Sequence, residues 1–125
     1  MEIFSEGISL EDFWEMLDEI TLTLPQEIFK NLNGGVNLLP DVRLHPQNKE
    51  LFVLGQYHYG GSLGRYINIY YGSFMKLYGN RSARFLKKEL EKVLRHEFLH
   101  HLESMAGERE LEIKDEIELA KYTEG

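Results

Sequence analysis

The sequence predicts an α+β fold in one domain, and three observations predict it. Apolar residues near the N-terminus recur at helical spacing. A middle stretch is rich in Val, Ile, Leu, Tyr and Phe and is punctuated by Gly and Pro. A later run, from Ala83 to about Ala106, contains neither breaker and is full of Leu, Lys, Glu and Arg. At 125 residues with 42% hydrophobic residues the chain can fill a single core, and a second independent core is implausible, so one domain is expected over 1–125.

The elements follow in order. Ser9 reads as a helix N-cap with an acid, Asp12, three residues on, and Leu10, Phe13, Trp14, Leu17 and Ile20 form the apolar stripe of the first helix, with Trp14 expected in the core. Pro25 suits the first turn of a short second helix to Leu32, stopped by Asn33-Gly34-Gly35. Strands are expected near Val36 to Leu39 or Val42 to Leu44, at Leu51 to Tyr59, and at Tyr66 to Tyr71, where apolar area on both faces predicts a central strand. Gly72 to Gly79 reads as a connection with one helical turn. Ser82 then caps the long helix. The glycines at 60, 61 and 64 do not read as a phosphate loop, because a strand follows them where a helix would be needed.

Composition removes several function classes. The chain has no cysteine, so disulfides, thiolate metal sites and Cys nucleophiles are excluded, and His and carboxylates are the available metal ligands. The net charge of −7 argues against a nucleic-acid partner. Arg81, Arg84, Lys87, Lys88, Lys92 and Arg95 do cluster, but Glu89 and Glu91 interrupt them, as on a solvated helix face. With no basic leader and no stretch of 18 apolar residues, no membrane partner and a cytoplasmic location are expected.

The long helix carries the chemistry. His96-Glu97-Phe98-Leu99-His100 places two imidazoles one turn apart, about 6 Å along the axis and on nearly one face, where both can converge on one cation. Glu97 lies about 100° round the helix from His96, placed to reach a metal-held water without ligating the metal itself. A zinc ion held this way with one further protein ligand keeps a position for water and needs an adjacent base. His96 and His100 are therefore the expected zinc ligands and Glu97 the expected catalytic base. His101 points about 100° away from His100 and reads as a packing or orienting residue. His45 and His58 are isolated, and Tyr57, Tyr59 and Tyr122 are oxyanion candidates that read first as core or rim residues.

Taken with Leu54-Gly55-Gln56-Tyr57 and Gly60, then Arg65-Tyr66-Ile67-Asn68-Ile69-Tyr70, then Leu94 to His101, the chain resembles the small bacterial metallopeptidase-like family with a minimal zincin fold, over roughly residues 24 to 102. The resemblance implies a zincin-like arrangement: N-terminal helices, a small twisted mixed sheet, the motif helix packed on the sheet, and a short C-terminal helix. It also implies an edge strand that aligns an extended substrate. The family motif is His-Glu-x-x-His-x-x-Gly-x-x-Asp, and here its Gly falls on Glu103 and its Asp on Ala106, which cannot ligate. One resolution is a helix that breaks at Gly107 and returns, bringing Asp115, in a segment like the family's Asp-Glu-x-x-Leu tail, to the metal as third ligand. Glu103 is the alternative if the helix ends early, and Glu108, Glu110 and Glu112 remain open. The implied function is zinc-dependent hydrolysis of a peptide or related amide, with a peptide or protein as substrate. The rival expectation is a zinc-stabilised peptide-binding or regulatory module with little or no catalysis.

Overall fold

The structure is a computed structural model that describes residues 7–124, with side chains through residue 109. Helix α1 (Leu10–Thr23) starts where the cap predicts, with the Ser9 side chain accepting a hydrogen bond from the Asp12 backbone N–H at 3.1 Å. Its buried stripe is Phe13, Met16, Leu17 and Ile20, while Trp14 is 54% exposed. The expected stripe and the observed one both follow helical spacing and differ by a small rotation about the axis. The core takes Met16 and leaves Trp14 at the rim.

The expected helix after Pro25 is only a 3-10 turn (Gln26–Phe29). Asn31, at φ 64°, turns the chain toward β1 (Gly35–Leu39). The strand expected over Leu51 to Tyr59 is two strands, because its halves pair with different partners. The first, β3 (Asn48–Phe52), pairs antiparallel with β2 (Leu44–His45) in a separate hairpin. The second, β4 (Gly55–His58), pairs antiparallel with β5 (Tyr66–Tyr70), and β1 pairs with β5 in parallel. The resulting mixed sheet has the order β1-β5-β4, so β5 is central, as its two apolar faces predict, and β4 is an edge.

The connection after β5 is a helix of eight residues, α2 (Tyr71–Tyr78), longer than the single turn expected. Its place is set by Phe74, fully buried against Phe13, and by Gly72, where a Cβ would meet the backbone of Asp41 at 2.6 Å. Helix α3 (Ala83–Glu124) then runs for 42 residues. Leu86, Leu90, Leu94 and Phe98 recur at every fourth position, are at most 2% exposed, and share one apolar cluster with Ile67 and Ile69 of β5 and the stripe of α1.

The α+β class is thus present, and its C-terminal part is corrected. There is no break at Gly107 and no separate short helix beyond it. The flanking residues are good helix formers, and one glycine costs only about 1 kcal/mol relative to alanine, too little to end a helix without a competing contact. No helix among the described residues is long and apolar enough to cross a membrane.

Candidate metal centre

The motif sits on the turn of α3 that follows Leu94, and the core residues dictate how it faces. With Leu94 and Phe98 turned inward, Glu97 is directed toward β4 and is 7% exposed, while His96 and His100 look outward. The two imidazoles meet through their Nε2 atoms at 3.1 Å, with the rings at 84° to one another. Two nitrogens bound to one tetrahedral zinc at about 2.0–2.1 Å are separated by about 3.3 Å, so the pair already has nearly the required bite.

The far side of His100 is also occupied. Its Nδ1 lies 3.6 Å from the Glu103 carboxylate. Glu103 therefore stands near the nitrogen that does not face His96, just beyond hydrogen-bond distance. Asp115 lies on the same uninterrupted helix, about 22 Å of axial rise beyond His100, and the chain reversal that would return it is not present. Its side chain lies outside the described residues, as do those of Glu110, Glu112 and Tyr122. Among the described residues no group of three His, Cys, Asp or Glu side chains converges on one point. The fit to a metal accordingly rests on the two imidazoles.

Glu97 is held by the edge strand. Burial raises its carboxyl pKa above the usual carboxylate value, an effect that His100, His96 and a hydrogen bond from the Tyr57 backbone N–H partly offset. Gly55 makes this approach possible. A Cβ there would stand 2.8 Å from a Val93 methyl, 3.2 Å from Ile69 and 3.4 Å from Glu97 Cγ, so only glycine lets β4 press against the helix.

Behind the two imidazoles runs a chain of polar side chains. His101, 1% exposed, donates from Nε2 to the Lys30 carbonyl at 2.8 Å, since a carbonyl can only accept. In the neutral ring Nδ1 then accepts the Tyr57 hydroxyl proton at 2.8 Å. The same phenol oxygen accepts from Arg65 at 2.9 Å, and Arg65 also donates to Ser104 and pairs with Glu108. Tyr57 is thus committed on both sides and is a brace between strand and helix; its hydroxyl is not free as an oxyanion donor.

Tyr59 is 69% exposed, stacked on Tyr57, at the rim of a depression between β4 and α3 that Glu97 and His100 also line. His58 stacks on Tyr66 across the sheet, and His45 accepts the Gln47 N–H in the β2–β3 turn; neither approaches the motif. Ser104 carried no signal in the sequence, and Arg65 entered only as the first residue of the phrase Arg65 to Tyr70 that carries the family resemblance. The partners of Arg65 on the helix lie 39 and 43 residues away along the chain.

No family model matches the chain, and no curated protein matches it significantly. A solved structure, a conserved hypothetical protein from Thermus thermophilus, is 30% identical and superposes with a TM-score of 0.72, covering 80% of this chain and 99% of that one. The chain belongs to the family of that conserved hypothetical protein. The family relationship secures the α+β fold. The chemistry of this family member rests on the side chains described above.

Proposed function

We propose that the chain is a zinc-dependent hydrolase of peptide bonds, with His96 and His100 holding the metal and Glu97 as the catalytic base. The observation that carries the reading is the convergence of the two Nε2 atoms at 3.1 Å beside a buried carboxylate of raised proton affinity. A bound zinc ion would supply Lewis-acid polarisation of the scissile carbonyl and make a water more acidic. The residues of the chain supply the rest. A carboxyl raised toward the working pH accepts a proton from the attacking water and returns it to the leaving amine. The Tyr57 N–H keeps the Glu97 carboxylate in place, and the Glu103 carboxylate lies near His100. Asp115 is not part of this proposal, because α3 carries it away from the imidazoles.

Purified protein should contain about one zinc per chain by elemental analysis, and His96→Ala or His100→Ala should lose it. Peptides from a broad library should be cut by the wild type, with products detected by mass spectrometry. Glu97→Gln should retain zinc while cleavage falls by about 10² or more. Stoichiometric zinc without any cleavage would instead identify a metal-stabilised peptide-binding module. Absence of zinc would overturn both.

A further inference from the structure

The depression between β4 and α3, of about 890 Å³, is lined among the described residues by one Arg or Lys side chain, Arg65, in a chain of net charge −7. Arg65 stands just ahead of β5 and is fixed at both ends. Its carbonyl accepts the Gly34 N–H at 2.8 Å, its Nη1 donates to the Tyr57 hydroxyl at 2.9 Å and to Ser104 Oγ, and the Tyr59 ring lies 5.8 Å from the guanidinium carbon. The side chain is 14% exposed. A guanidinium held in this way loses little freedom when it takes up a ligand.

Its charged partner is of a different kind. Glu108 meets Nη2 through a single oxygen and is 58% exposed. An ion pair with such a carboxylate contributes little, because water screens it and a flexible side chain has to be ordered. A carboxylate can instead engage a guanidinium through two parallel hydrogen bonds, which is the stronger arrangement. Tyr57 and Ser104, both neutral, hold Arg65 independently of Glu108. A carboxylate brought by a ligand can therefore exchange with Glu108 while Arg65 stays in place.

The same depression is lined by Glu97 and His100. Ser104 follows His100 by one turn of α3 and Glu108 by two, about 6 and 12 Å of axial rise, and Arg65 reaches both. The guanidinium is thus removed from the imidazole pair by the length of about two to three residues of extended chain. The other carboxylates of the depression are turned toward the motif: Glu97 takes the Tyr57 N–H, and Glu103 lies 3.6 Å from His100. A cation on the imidazoles opposes their charge, and at the Arg65 end the carboxylate to be displaced is Glu108.

Resting on the hydrolase reading, we propose that Arg65 is a carboxylate receptor, so that the site takes substrates carrying a carboxylate about two to three residues from the bond to be cut, with Glu108 filling the receptor in the free protein. That carboxylate is either the C-terminus of a peptide or the side chain of an internal Asp or Glu.

The test uses full-length, zinc-loaded Glu97→Gln protein, labelled with 15N, and two pairs of N-acetylated tetrapeptides. One pair is tetra-alanine as the free acid and as the C-amide; the other is C-amidated and carries an internal Glu or Gln. Dissociation constants come from the shifts of the Tyr59 and Ser104 amides. At least one acid should bind about tenfold more tightly than its neutral counterpart, and which of the two does so identifies the source. Arg65→Met should abolish that preference. Glu108→Gln should raise it by about threefold more, because the competitor is gone, whereas an ion pair that serves only to hold the helix predicts no gain. Glu108→Gln decides the matter even where Arg65→Met does not fold. Equal binding within both pairs, a preference that survives Arg65→Met, or one that Glu108→Gln leaves unchanged would overturn the proposal. Zinc content and cleavage by the wild type read the hydrolase separately. An Arg65-dependent preference in protein that binds no zinc keeps the receptor and removes the hydrolase, and zinc with cleavage but no such preference removes the receptor alone.

Discussion

Glu97 has opposite effects on folding and on the proposed chemistry. Its carboxyl pKa is raised in the folded state, chiefly by burial, so ionising it costs folding free energy. The penalty is absent below the ordinary value of 4.5 and grows as pH rises above it toward the folded-state value. In chelator-treated protein Glu97→Gln should therefore melt at a higher temperature than wild type at pH 7, and the gap should close as pH falls below 4.5. Thermal denaturation over a pH series reads this, and a gap that widens in acid would show that the carboxylate is stabilised by its neighbours after all. Glu103 offers a second test. Because it stands 3.6 Å from His100, Glu103→Ala should weaken zinc by about tenfold, through loss of a nearby negative charge, with no change in stoichiometry. Asp115→Ala should leave zinc affinity unchanged in a competition titration, and the reverse ranking would mean that the tail folds back on the site in solution.

At the scale of elements, what the sequence makes legible is what depends on near neighbours. Leu86, Leu90, Leu94 and Phe98 announce their shared face by spacing alone, and His96 and His100 meet because one turn of helix brings them together. Trp14 misleads because Leu10, Phe13, Trp14 and Leu17 satisfy helical spacing as well as the stripe that the core selects. Helix α2 is hidden by Gly72, which reads as a breaker but is present so that the helix can approach Asp41. The brace from His101 through Tyr57 to Arg65 and Glu108 joins four distant positions, and no local pattern encodes it. Gly107 looks like a stop, yet nothing lies within 4 Å of the place its Cβ would take. Gly107→Ala should consequently stabilise the protein by about 0.5–1 kcal/mol in urea denaturation, with helicity retained. Destabilisation there would instead mean that the glycine serves a turn.

The described residues build a three-stranded mixed sheet covered by α1 and the first half of α3, with a separate β2–β3 hairpin, and the site lies where the helix passes the sheet edge. Leu94 is fully buried at the centre of this contact, and Leu94→Ala should cost about 2–5 kcal/mol in the same denaturation assay. The two walls of the site are thereby unequal. The two imidazoles ride on the helical turn that Leu94 and Phe98 fix in the core, while Tyr57, whose N–H meets the proposed base, belongs to an edge strand. Amide hydrogens at Glu97, Phe98 and Leu99 should exchange only when the entire domain opens, whereas those of β4 that do not bond to β5 should exchange through local fluctuations at lower free energy. The imidazole pair is the permanent part of the site and the strand its yielding part.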